Sequence, residues 1–228
     1  MAQVNIIVAI CEKYGVGKNN SLPWHLSKEI QHFKKMTTSV SDPNKINAVI
    51  MGRNTWNSIP VKFRPLSGRL NIIVSSTMPQ LNEEDVIVVS NWREAIEMVK
   101  HPLSEKFIET FWICGGAKLY KDVIESGLWN RLYVTWIMKE FDCDVFFSFP
   151  DKKTLKLVED DRIPSDIQVE KGISYKYEVD VENQNHGYCN QSCPPPTTYM
   201  ATATALAKEN SKPMLPPNSG PNDRDSKK

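Results

Sequence analysis

The chain has 228 residues, of which 40% are hydrophobic and 24% charged, with a formal net charge of +1. That composition supplies an ordinary globular core. The near-neutral charge gives no global pull towards nucleic acid or anionic lipid, and no apolar run reaches the roughly 20 residues a membrane-spanning helix needs. Neither a dedicated nucleic-acid site nor a membrane association is expected.

In chain order, the first residues, MAQVNIIVAI, lack a basic region and a small-residue cleavage site. They read as a first strand, Val4–Ala9, rather than a signal peptide. Gly15 to Trp24 is a polar, glycine-containing loop that ends in Leu22-Pro23-Trp24. Ser27–Met36 reads as a helix with Ser27 as its N-cap. Ala48–Met51 is a strand, and Thr55–Ser58 starts a short helix. Leu70–Val74 and Val86–Val89 are strands. Asn91–Lys100 is a helix, with Asn91 and Glu94 in a capping-box pattern. Phe107–Cys114 is a strand, Ala117–Glu125 a helix and Leu132–Met138 a strand, and two later strands fit Lys153–Glu159 and Ile173–Val181. There is no internal repeat. Strands alternating with helices predict an α/β layered domain with a mainly parallel sheet, and the helix-free end predicts a closing antiparallel hairpin.

The character of the chain changes near Asn183. Seven of the 15 prolines fall beyond it, in a stretch too polar to bury enough apolar surface to offset its ordering entropy. The reading is a body, 1–183, and a disordered Pro/Ser/Thr-rich tail, 184–228, with transient helix around Tyr199–Glu209. The tail is either a docking or turnover segment or a tolerated appendage. Of the five cysteines, Cys11, Cys114 and Cys143 lack metal-ligand spacing and are expected to be reduced thiols in a reducing compartment. Cys189 and Cys193 have no second pair to complete a ligand set, so no metal is expected.

Three segments carry potential chemistry. On the first helix, Leu26, Glu29, Ile30 and Phe33 share the apolar face, so Glu29 points inwards. It is either a first-turn acid favoured by the helix dipole or a buried carboxylate with a raised pKa, awaiting a donor ligand. The Gly15–Trp24 loop is either an ordinary surface loop or an active-site lid. Met51-Gly52-Arg53-Asn54-Thr55 and Cys114-Gly115-Gly116-Ala117 each follow a strand and open a helix. Each is either a plain turn or a phosphate cradle. Neither matches the Rossmann glycine fingerprint.

Taken together, Ile7-Val8-Ala9, Gly15 to Gly17, Leu22-Pro23-Trp24, Glu29, Phe33, Met51-Gly52-Arg53-x-Thr55-Trp56-x-Ser58-Ile59-Pro60, Arg64-Pro65-Leu66, Gly68-Arg69, Gly115-Gly116-x-x-x-Tyr120, Leu132 to Thr135, Asp142 to Phe147 and Tyr175-Lys176-Tyr177 resemble dihydrofolate reductases of the animal, single-function type. The resemblance spans about residues 3–181. It implies a three-layer fold with a mixed, mostly parallel eight-stranded sheet, an antiparallel C-terminal hairpin and about four flanking helices.

It also implies NADPH-dependent reduction of 7,8-dihydrofolate, possible use of folate, antifolate binding, and a monomer in the cytoplasm serving one-carbon metabolism. By the same resemblance, Glu29 binds the pteridine 2-amino and ring N–H groups. Thr135 hydrogen-bonds that carboxylate, Trp24 holds a water near it, and Leu22 lies on the lid. Ile7, Val8, Ile30, Phe33, Ser58, Ile59, Leu66, Ile113 and Tyr120 join them around the substrate, whose α-carboxylate pairs with Arg69. NADPH falls to Ala9, Ile10, Gly15, Gly17, Gly52, Arg53, Asn54, Thr55, Ser75, Ser76, Ile113, Gly115, Gly116, Ala117, Lys118, Leu119 and Tyr120. Gly115-Gly116 and Arg64-Pro65 are expected to be cis.

The chain departs from the family pattern where arginines often grip the 2′-phosphate, because Ser76 and Ser90 stand there. Arg53 must carry more of that charge, helped by the hydroxyls of Ser75, Ser76 and Thr77, and by Arg93 if its helix start faces the adenosine. His25 and Ile30 also depart, which bears on inhibitor selectivity. Two rival readings are a riboflavin-pathway reductase on this fold and a folate-sequestering or mRNA-binding module.

Overall fold

Six near-continuous apolar runs dictate the centre of the molecule. Strands buried on both faces belong in a parallel sheet covered by helices. The computed structural model describes residues 2–101 and 106–183. Its strands are β1 (Gln3–Ile10), β2 (Gly15–Gly17), β3 (Lys45–Gly52), β4 (Arg69–Val74), β5 (Val86–Val89), β6 (Phe107–Ile113), β7 (Arg131–Ile137), β8 (Val145–Phe146), β9 (Leu155–Leu157), β10 (Gln168–Glu170) and β11 (Ile173–Glu182). The α-helices are α1 (Ser27–Thr38), α2 (Arg53–Ser58), α3 (Trp92–Glu97) and α4 (Ala117–Ser126).

The main sheet runs β10-β11-β7-β1-β6-β3-β4-β5, and β9 also pairs with β11. Strands β7, β1, β6, β3, β4 and β5 are mutually parallel. β11 is antiparallel to β7, and β10 and β9 are antiparallel to β11. This is the expected mixed sheet of eight strands in line, with its C-terminal hairpin and four α-helices.

Side-chain alternation sorts the core into two layers. Ile6, Val8 and Ile10 of β1 join Trp92 and Ala95 of α3 and Leu119 and Val123 of α4. Ile7 points the other way, into a cluster with Met36 of α1 and Trp56 of α2. One pair of helices therefore covers each face of the sheet.

The local rules were modified in three places. Ser27 is the first helical residue of α1 rather than its N-cap. Leu26 occupies the cap position without a side-chain bond. The free N–H groups of Ser27 and Lys28 donate instead to the Glu170 carboxylate, at 2.8 and 2.9 Å. In α3, Asn91 caps as expected by accepting from the Arg93 amide, but Glu94 reaches back to Ser90, and the helix ends at Glu97. The segment expected as one strand from Lys153 begins as a 3-10 turn, Lys152–Thr154, because Asp151 accepts from the Lys153 amide. The strand itself is only Leu155–Leu157.

Strands β2, β8 and β10 were not anticipated. They are two or three residues long and lack alternating apolar patterning. Cys11, Cys114 and Cys143 are free thiols. The expectations for the tail 184–228, including Cys189 and Cys193, lie outside the described residues. Among the described residues no helix is long and apolar enough to cross a membrane.

Candidate active site

The chain after β1 goes to α1 on one face, and the chain after the neighbouring β6 goes to α4 on the other. Open α/β sheets form their crevice at the carboxyl ends of strands where the connections diverge like this. A cleft of about 2090 Å³ opens there. Ile7, Val8 and Ala9 of β1 form its floor. The segments after β3, β4 and β6 form one part of the wall, and the Val16–Trp24 loop and α1 form another.

Glu29 lies in the first turn of α1 and is 7% exposed. Its Oε1 accepts a hydrogen bond from the Thr135 hydroxyl at 3.3 Å. Burial pushes the Glu29 carboxyl from the ordinary 4.5 up to about 7, the Thr135 bond opposes that, and the charge of Glu170 adds to it. The helix-dipole reading of Glu29 is therefore the weaker of the two, since desolvation outweighs the effects that favour its charge. Trp24 is buried beside Leu26 and Tyr175, and its indole Nε1 has no hydrogen-bond partner among the described residues.

Arg69, at the start of β4, is 3% exposed. Its Nη1 donates to the Thr37 hydroxyl at 2.6 Å, and its Nε donates to the Ser67 carbonyl at 3.2 Å. Its guanidinium carbon is 5.8 Å from the Phe33 ring centroid. Among the described residues no carboxylate is within salt-bridge distance of it. Burial accordingly lowers its pKa. A desolvated, unpaired cation on a cleft wall is suited to an anionic ligand group. Asn71 shapes the approach to Arg69 by clamping Leu66, whose amide donates to Asn71 and whose carbonyl accepts from it, at 2.9 and 3.0 Å.

The two glycine turns meet. The Gly52 amide donates to the Gly115 carbonyl at 2.7 Å, and the Gly115-Gly116 and Arg64-Pro65 peptides are cis. Gly115 has φ +111, and a Cβ there would lie 3.2 Å from the Tyr120 ring, so only glycine suits the position. The Tyr120 hydroxyl in turn donates to the Ile7 carbonyl at 2.9 Å, fixing the start of α4 to β1. At the far end, Arg53 donates to the Thr77 hydroxyl at 2.7 Å. Arg93 lies over the Trp92 ring, 4.5 Å from its centroid. Arg53, Arg93, Ser75, Ser76 and Thr77 all line the cleft. The Ser90 hydroxyl is engaged by Glu94 at 2.9 Å.

Most of the expected site residues converge on this cleft: Leu22, Trp24, Glu29, Ile30, Phe33, Ser58, Ile59, Leu66 and Arg69, with Gly17, Asn54, Thr55, Ala117, Lys118 and Leu119. Ile30 shares the apolar face of α1 but is 53% exposed, because that part of the face borders the cleft instead of the core. Four residues are not in the wall. Ile10 and Ile113 are fully buried among core side chains. Gly15 is at the root of the loop, packed on Cys11 and Cys143. Thr135 stands behind Glu29 and reaches the cleft only through it.

Thr37 was missed. Its one signal is a hydroxyl four residues after Phe33 on the inward stripe of the helix. Cys114 lines the cleft too, with its thiol donating to the Trp112 carbonyl at 3.2 Å and burial pushing its pKa up to about 12. Among the described residues no group of three or more His, Cys, Asp or Glu side chains is disposed to hold a metal ion.

Comparison with known proteins gives a consistent result. The family model described as dihydrofolate reductase matches residues 3–180. The dihydrofolate reductase of Heliothis virescens is 42% identical over 184 residues, covering 78% of this chain and 98% of that protein. That of Sus scrofa is 41% identical over 182 residues, covering 79% and 98%. The solved structure of Schistosoma mansoni dihydrofolate reductase superposes with a TM-score of 0.71 at 37% identity, covering 80% of this chain and 99% of that one.

Proposed function

The chain belongs to the dihydrofolate reductase family of oxidoreductases, which reduce dihydrofolate to tetrahydrofolate, and from that premise we propose that it does so with NADPH, by hydride transfer to the pteridine C6 and protonation of N5 from water. The observation that carries this reading is one cleft with a buried acid at Glu29, a buried cation without a carboxylate partner at Arg69 and two glycine turns between them and a cationic end.

The cationic end fits a phosphorylated dinucleotide. A Cβ at Gly116 would come within 3.3 Å of the Thr55 hydroxyl, so glycine there keeps the backbone at the start of α4 open to a diphosphate. Gly52, Thr55, Gly116 and Ala117 would hold that diphosphate. Arg53 and Arg93, with the hydroxyls of Ser75, Ser76 and Thr77, would hold the 2′-phosphate. Bound NADPH supplies the hydride.

On the substrate side, Glu29 accepts from the 2-amino and ring N–H groups of the pteridine, which favours its ionised form and orients the ring. Thr135 keeps the carboxylate turned to that task. Arg69 takes the substrate's α-carboxylate, and Phe33, Ile59 and Leu66 enclose the part of the molecule between. Cys114 does not serve as the acid for N5, since its thiol is held on a backbone carbonyl with a pKa near 12. In this reading water delivers that proton, and the Leu22–Trp24 end of the loop limits how much water enters. The product supplies one-carbon transfer, and the enzyme works as a cytoplasmic monomer.

The deciding measurement is the loss of absorbance at 340 nm with purified protein, dihydrofolate and NADPH, with NADH in parallel. Loss with NADPH alone supports the whole proposal. Comparable loss with NADH refutes the role given to Arg53 and Arg93. No loss with either, from folded protein, refutes the reaction.

A further inference from the structure

Among the described residues, a pair of thiols lies outside the cleft and has no part in the proposed reaction. Cys11 follows β1 and Cys143 precedes β8, 132 positions apart, and their sulfurs lie 3.7 Å from each other. Both pack on Gly15, where a Cβ would come within 2.5 Å of the Cys143 sulfur and 2.9 Å of the Cys11 sulfur. The missing side chain of Gly15 is thus what lets the two thiols meet.

The thiols sit at the root of the lid. The Cys11 amide donates to the Gly15 carbonyl at 2.9 Å. On the other side, the Asp144 amide donates to the Gly17 carbonyl at 3.0 Å and the Phe147 amide to the Tyr14 carbonyl at 2.8 Å. The Asn19 amide donates to the Asp144 carboxylate at 2.9 Å, and Lys18 pairs with Asp142 at 3.2 Å. The segment around Cys143 therefore carries the lid, and Cys11 anchors the strand from which the lid departs.

We propose that Cys11 and Cys143 are a reversible disulfide site through which a low-molecular-weight disulfide locks the base of the lid. Closing the bond brings the sulfurs from 3.7 Å to about 2.0 Å, a local movement. Cys143, the less buried of the two, attacks one sulfur of the small disulfide as its thiolate, forming a mixed disulfide and releasing the first small thiol. Cys11 then attacks the Cys143 sulfur and releases the second. The protein loses two electrons and two protons, and the small disulfide takes up both. Burial and the Cys11 contact hold the Cys143 thiol up, at about 11, so the exchange is slow at neutral pH. The consequence for turnover rests on the reductase reading. The cross-link itself does not.

The test treats the full chain, carrying Cys189→Ser and Cys193→Ser and keeping the cleft thiol Cys114, with oxidised glutathione and then with dithiothreitol. Peptide mapping should find Cys11 joined to Cys143. Amide exchange across residues 17–24 should slow by roughly tenfold, and NADPH-dependent turnover should fall by about threefold or more, both recovering on reduction. Cys143→Ser and, separately, Cys11→Ala should abolish the link and the changes. Glutathione retained on either cysteine with no internal link would overturn the site. A link that leaves the exchange of 17–24 unchanged would overturn the lock. Absence of any reductase activity in the reduced protein would count against the proposed reaction, while the map and the exchange data would still decide this proposal.

Discussion

Replacing Glu29 by glutamine tests the site through stability as well as activity. Glu29 is 7% exposed, and burial moves its carboxyl from 4.5 to about 7. At about 1.4 kcal/mol per pH unit, its ionised form destabilises the ligand-free fold by about 3 kcal/mol. The sign follows from linkage. The folded state holds the proton more tightly than the unfolded chain, so this group's contribution is most favourable below pH 4.5 and is lost as the pH rises through about 7. Glutamine has nearly the same shape as the protonated acid and still offers an oxygen to the Thr135 hydroxyl. Urea unfolding of the ligand-free proteins, followed by tryptophan fluorescence, should give nearly equal stabilities at pH 4.5. At pH 8 the Glu29→Gln protein should be more stable by about 3 kcal/mol. The same variant should lose roughly 10²–10⁴-fold in turnover at pH 7 and recover part of it in acid. Equal stability of the two proteins across the whole range would refute the claim that Glu29 is desolvated. Wild-type turnover at pH 7 would refute its part in the reaction.

The other residues give further expectations. Arg69→Leu should weaken dihydrofolate binding by roughly 2–5 kcal/mol, leave NADPH binding unchanged and cost the ligand-free fold little, since it removes a buried unpaired charge. Equal loss of affinity for a pterin lacking the glutamate would count against the assignment. Arg53→Ala and Arg93→Ala should each raise the KM for NADPH several-fold while sparing that for NADH, and a parallel rise in both would mean that neither arginine reads the 2′-phosphate. Asp160 sits between Arg131, Arg162 and the Tyr133 hydroxyl, and the Arg162 bonds hold its carboxyl far below the usual range. Asp160→Asn should therefore destabilise the protein at pH 7, and the deficit should vanish as the pH falls and the wild-type carboxyl takes up its proton. A deficit that persists in acid would contradict this.

What the sequence disclosed and what it withheld have physical causes. The six central strands were legible because burial on both faces demands unbroken apolar runs, and β1, β3 and β4 have them. Glu29 was legible as a polar residue on an apolar stripe, and the glycine turns as a backbone that tolerates no side chain. What stayed hidden is held by partners distant in sequence. The cap of α1 comes from Glu170, 143 positions from Ser27. No local rule finds it, and a serine at the right place suggested a different cap. β2 and β8 exist because they pair with each other at the base of the Gly15–Trp24 loop, not because three or two residues favour a strand. Ile10 and Ile113 come into the site by the family resemblance, and their side chains are buried in the core.

The hidden contacts also explain how the cleft can keep two unfavourable charges. Glu29 lies in the first turn of α1, and Thr37, which engages Arg69, lies in its last. Eight residues of helix set these positions about 12 Å apart, so one rigid rod spaces a donor-seeking acid from an anion-seeking cation. Both groups cost stability while the cleft holds no ligand, since each is desolvated and neither has a counter-charge among the described residues. The fold tolerates this because the acid's end of the rod is tied to β10 through Glu170. A ligand with a hydrogen-bond-donating head and a carboxylate tail relieves both costs at once. A ligand with only one of the two leaves the other charge uncompensated. On the proposed function, that asymmetry is the basis of the cleft's selectivity, and it requires Glu29 and Arg69 together.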